Sequence, residues 1–113
     1  MGHALEAASG YEALLHGEAV AIGMAAAADI GQRMGLIDQA LVDRQNALIR
    51  RFELPLRAPG VDPGLALAAM KLDKKVVGKA QRFILLDGPG RTVIRADVPA
   101  ELVQNAVAMV TAP

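Results

Sequence analysis

Residues 19–28, AVAIGMAAAA, make the longest stretch of this chain without a polar side chain. The run lies between His16-Gly17-Glu18 and Asp29. Spanning a bilayer takes about 20 apolar residues, so a run this short predicts a helix buried in protein and no membrane partner. Ala19, Val20, Ile22, Gly23, Ala26, Ala27, Ile30 and Met34 cover most of the circumference of a helix drawn from Leu15 to Met34. A helix apolar nearly all round sits at the centre of its packing. Its glycine and alanines let neighbours come close, and Gly35 is suited to end it.

The rest of the chain agrees with a helical core. Apolar residues make up 53% of the sequence, yet there are only one Tyr, two Phe and no Trp. The interior must be built from Ala, Leu, Val, Ile and Met, which favours closely packed helices. The 113 residues are enough for one domain or part of a larger one. Twelve basic and twelve acidic side chains give a formal net charge of zero. That balance gives no pull toward nucleic acid or an anionic membrane. With no cysteine there is no disulfide framework and no thiolate metal site, so any metal needs His, Asp or Glu. The first residues have no basic region of the signal-peptide kind, and a cytoplasmic setting is expected.

Six further elements can be placed. Residues 2–8 predict a short helix ended by Ser9-Gly10. Asp38 caps a helix over about Gln39 to Phe52, with Leu41, Val42, Leu48 and Ile49 as its apolar stripe. Asp62-Pro63 starts a helix over Gly64 to about Leu72. Arg82 to Leu86 and Thr92 to Arg95 flank Asp87-Gly88-Pro89-Gly90 and predict a hairpin. Pro99 opens a last helix, Ala100 to about Val110. The fold class expected is mainly α, with one short β-hairpin near the C-terminus.

Chemistry can be carried by few residues. His3 and His16 are the only histidines. Thirteen positions apart on one straight helix they would point to roughly opposite faces, so they converge only if the chain turns at Ser9-Gly10. His3 and Glu6 share a helical face. On spacing alone, this trio also fits ordinary surface or satisfied core residues, and it falls short of a zinc donor set. Lys71, Lys74, Lys75 and Lys79 cluster around Asp73 and Gly78. They suit a phosphate or carboxylate, although charge alone favours a solvated connector.

Taken together, the segments carry a resemblance. Gly2-His3-Ala4-Leu5-Glu6 resembles the G-H-A-x-E motif of the 3-dehydroquinate synthase family. Leu14-Leu15-His16-Gly17-Glu18-Ala19-Val20-Ala21-Ile22-Gly23-Met24 is similar to its L-x-H-G-E-A-V-A-I-G-M run almost residue for residue. Asp73-Lys74-Lys75, Gly78 and Arg82-Phe83-Ile84-Leu85-Leu86 look like its D-K-K…G…R-F-x-L-L block, and Val93 to Ala106 follows its closing pattern.

The resemblance implies the fold of the C-terminal half of such synthases over residues 1–113, without their NAD-binding N-terminal domain. It implies conversion of the seven-carbon keto-acid sugar phosphate DAHP into 3-dehydroquinate and phosphate, in the shikimate route. NAD and a divalent metal, usually zinc, serve the family. Residue by residue, His16 matches a zinc ligand. His3 matches the second histidine of an H-x-x-x-H pair beside the phosphate, implicated in proton handling. One of Lys74 and Lys75 matches a phosphate contact. Glu6 and Glu18 are expected to orient ligands from behind. The first histidine of the pair, an upstream glutamate ligand and a glycine-rich nucleotide loop are expected to be missing, leaving neither cofactor site complete. A fragment or remnant inactive alone is therefore expected, partnered by an N-terminal domain or by a second copy. Two alternatives stand beside it: a non-catalytic helical oligomerisation module, and a fragment of another sugar-phosphate cyclase.

Overall fold

The protein is described by a computed structural model covering residues 2, 3, 5, 15–69 and 82–112. Residues 2, 3 and 5 are helical, and the expected end of that first turn at Ser9-Gly10 lies outside the described residues.

Helix α1, His16–Arg33, is the axis of the molecule, with helix α4 (Ala100–Thr111), strand β1 (Phe83–Gly88) and helix α2 (Gln39–Arg51) all packed on it. Its first residue follows Leu15, whose side chain has no atom that can accept a hydrogen bond. Glu18 closes the end instead, with Oε1 accepting the Leu15 backbone N–H at 3.0 Å. At the other end Gly35 takes φ +78°. The Gly35 N–H then reaches the Gln32 carbonyl at 3.1 Å, and the Leu36 N–H reaches that of Gly31 at 2.9 Å. This satisfies two carbonyls that the helix leaves open, as the sequence reading of Gly35 expects.

The Asp38 cap of α2 is also as expected, its Oδ1 accepting the Leu41 N–H at 2.9 Å. Asp38→Ala should lower stability by about 1 kcal/mol. A urea melt is the check, and an unchanged midpoint would refute the cap. The apolar stripe of α2 is narrower than expected. Val42 and Ile49, seven residues apart on one line, are buried, whereas Leu48 is 55% exposed. The helix shows the core only a seam, because α1 is its main neighbour. A third helix, α3, covers 63–69. Asp62 Oδ1 accepts the Gly64 and Leu65 N–H groups at 2.7 and 3.2 Å, and the extension to Leu72 falls outside the described residues.

Strand β1 pairs antiparallel with β2 (Arg91–Arg95), with Leu85 opposite Val93 and Ile84 opposite Ile94. The expected four-residue turn over 87–90 is corrected to two residues, Pro89-Gly90. The register slips between Leu86 and Gly88, which absorbs Asp87 as a bulge. Arg91 Nη2 donates to the Asp87 carbonyl at 3.2 Å across the slip, and Gly90 supplies the positive φ of the turn. Alternation sorts the strands: Phe83 and Leu85 face the core, while Ile84 and Ile94 are exposed. After β2, Arg95 forks onto Asp97 at 2.7 and 2.6 Å. That hydrogen bond holds the Asp97 carboxyl below the usual carboxylate range.

Leu5, Ile22, Ile30, Leu85, Val107 and Val110 are the large side chains wholly shut away from water. Small residues of α1, Ala25 and Ala26 among them, fill the space between these groups. The loop after α2 is drawn into the same core: Ala58 is buried, and its N–H donates to the Val110 carbonyl. Among the described residues no helix is long and apolar enough to cross a membrane. The architecture is mainly α with one hairpin, as expected.

Candidate functional site

Gly2 determines how close the N-terminal turn can come to α1. A Cβ built there would lie 3.1 Å from the Ala19 carbonyl oxygen and 3.5 Å from the Val20 Cα. Only a residue without a side chain sits comfortably so near helix backbone. Leu5 locks the turn from the other side, buried in the core. Between these two anchors His3 is brought over the first turn of α1, where His16 stands. The two imidazole rings meet edge to face, with centroids 6.3 Å apart. Both residues are exposed. The convergence that the sequence required of His3 and His16 is present.

The rings open onto a groove of about 440 Å³ whose other walls include Val20, Met24, Arg82 and Ile84. His16, Val20 and Met24 follow one another at four-residue spacing on one face of α1. Val20 and Met24 are 43% and 46% exposed on an otherwise buried helix, so the groove is where α1 meets solvent. Arg82 enters from the residue before β1. The sequence reading quoted it within a motif without assigning it a role. Its place one step before the inward-facing Phe83 is the signal that could have marked it. With two imidazoles and a guanidinium, the groove presents nitrogen donors to an anionic or metal-bound ligand, over an apolar rim.

The Glu18 carboxylate closes the start of α1 on Leu15. It therefore fixes the backbone from which His16 projects. Glu6, Lys74 and Lys75 lie outside the described residues, so their expected roles have no geometry here. Two imidazoles are part of a zinc donor set. Among the described residues no group of three His, Cys, Asp or Glu side chains could hold a metal ion. His16 fits as one donor of a site, and the described residues alone do not complete it.

Known proteins place this chain in a family. The family model for the 3-dehydroquinate synthase C-terminal region matches residues 1–76, which hold both histidines and both candidate lysines. The chain belongs to the 3-dehydroquinate synthase family. The 3-dehydroquinate synthase of Nitrosospira multiformis is 47% identical over 111 residues, covering 98% of this chain and 30% of that protein. That of Acidithiobacillus ferrooxidans is 50% identical over 98 residues, covering 87% of this chain and 27% of that protein. The chain thus spans under a third of the length of these 3-dehydroquinate synthases, and it corresponds to their C-terminal region. Among solved structures, ValA, the 2-epi-5-epi-valiolone synthase of Streptomyces hygroscopicus subsp. jinggangensis, superposes with a TM-score of 0.82 at 32% identity. The match covers 96% of this chain and 31% of that one. That enzyme was solved with NAD+ and Zn2+ bound.

Proposed function

We propose that this chain forms one wall of a 3-dehydroquinate synthase active site, acting on DAHP, and turns over only when the remainder of a synthase completes that site. The observation that carries the reading is the meeting of His3 and His16 across one groove, inside the segment matched by the family model. The chain's coverage of under a third of the 3-dehydroquinate synthases it matches supports the need for further protein.

Each group has work suited to it. His3, at the groove and exposed, is placed to pass a proton to or from a substrate oxygen, the general acid–base role that imidazole side chains serve. Arg82 adds a fixed positive charge for the phosphate or carboxylate of the substrate, beside whichever of Lys74 and Lys75 reaches it. Glu18 orients the first turn of α1. A metal held partly by His16 would polarise a substrate oxygen as a Lewis acid, and bound NAD would exchange the hydride.

A second reading, another sugar-phosphate cyclase, draws on the fit to the valiolone synthase. Identities of 47% and 50% to 3-dehydroquinate synthases, against 32% to that enzyme, favour the first.

Phosphate release from DAHP, with NAD and zinc present, tests the proposal. The chain alone should release none. Adding the N-terminal portion of the Nitrosospira multiformis synthase should restore release. Turnover by the lone chain at the restored rate would overturn the proposed division of labour.

A further inference from the structure

A second concavity, sharing no lining residue with the histidine groove, lies where α2, the loop after it and the end of α4 meet α1. Its volume is about 450 Å³, within the range of small-molecule sites. Asn46 and Arg50 line it from one face of α2, four residues apart. Arg57 joins them from the loop, and Ala25, Leu56 and Val110 give it an apolar floor.

Three features make this more than a fold between elements. First, the position of Arg57 is set by its neighbour: Ala58 is buried and its N–H is tied to the Val110 carbonyl. Second, among the described residues neither the Arg50 nor the Arg57 guanidinium has a hydrogen-bond or ion-pair partner. Two planar, permanently charged forks therefore stand over one apolar floor, the arrangement that takes a carboxylate with an apolar body. Third, Asn46 Oδ1 is enclosed and has no hydrogen-bond donor among the described residues. A buried acceptor left without a donor is unfavourable, and a donor brought beside the carboxylate would relieve it once the amide turns toward the ligand.

We infer that this concavity binds a small apolar carboxylate bearing a hydroxyl or ammonium group next to the carboxylate. Arg50 and Arg57 hold the carboxylate, Asn46 accepts from the neighbouring donor, and the floor takes the apolar body. The site is separate from the proposed active site and does not rest on that reading.

Titration of the full chain with 3-phenyllactate, 3-phenylpropionate and inorganic phosphate, followed by the backbone amide resonances of Arg57 and Ala58, tests the inference. Phenyllactate should saturate, bind more tightly than phenylpropionate, and outcompete phosphate. Replacing both arginines (Arg50→Gln with Arg57→Gln) should weaken phenyllactate at least about tenfold, as loss of charge-assisted hydrogen bonds does. Asn46→Ala should erase the preference for phenyllactate while leaving phenylpropionate as it was. Both arginines are exposed, so the double variant keeps the fold. Failure of phenyllactate to saturate, unchanged affinity in the double variant, or phosphate binding as well as the carboxylates would overturn the inference. Equal affinity for the two carboxylates would strike out the role of Asn46 and the hydroxy- or amino-acid class with it.

Discussion

Ile22→Ala is expected to remove about 2–5 kcal/mol of stability. The side chain has no exposed surface and belongs to the cluster that joins α1 to α4 and the hairpin. Its truncation leaves a hole that alanine-rich surroundings cannot close, because they have few rotatable atoms to move in. A small domain holds only about 5–15 kcal/mol in total, so the loss is a large fraction of it. Urea unfolding should show the midpoint falling with little change in slope. Val20→Ala, two residues earlier at an exposed position, should cost under about 1 kcal/mol. Equal losses from the two substitutions would mean that α1 is not the packed axis described above.

His16→Ala should leave the fold intact and take away function. The side chain is exposed, so the unfolding free energy should change by no more than about 0.5 kcal/mol. In a synthase completed with the N-terminal portion of a relative, DAHP turnover should fall by about a hundredfold to ten-thousandfold, the range for losing a Lewis acid or its ligand. Bound metal, measured on the dialysed complex, should drop with it. His3→Ala should lower turnover by about 10²–10⁴-fold, as loss of a proton-transfer group does, while metal content stays. This split separates the two imidazoles, which the geometry alone leaves chemically alike. Full metal content in the His16 variant would remove it from the donor set.

Much of this fold could be read from the chain because its signals are local. The Asp38 and Asp62 caps, the glycine at 35 and Pro99 mark helix ends through hydrogen bonds within three residues or through fixed dihedrals. The central place of α1 followed from its composition, since a helix with apolar atoms all round must be surrounded. What could not be read depended on contacts made across the chain. Leu48 lies beside Ile49 in sequence yet outside the seam, because the width of that seam is decided by α1. The bulge at Asp87 depends on Arg91 reaching back across the strands. Similarly, the motifs pointed to His3 and His16, and the structure brings them together. Arg82 was given no role because its mark, a place one step before Phe83, counts only once Phe83 is known to face the core. Glu18, quoted within the same motif as His16, also accepts a hydrogen bond from the backbone at the start of its helix, a contact that the motif did not announce.

The 3.1 Å approach of a Cβ at Gly2 to the Ala19 carbonyl has a consequence for how the site tolerates change. Backbone against backbone leaves no side chain to act as a compliant spacer, so the gap between the imidazoles has a single rigid stop. A methyl group at position 2 would press on that carbonyl by a few tenths of an ångström, and it would act as a wedge under the N-terminal turn. The displacement would be passed to His3, the next residue, with Leu5 as the pivot. Drift at position 2 is therefore expected to be purged even in relatives that have changed substrate, because every one of them that uses both rings needs the same stop.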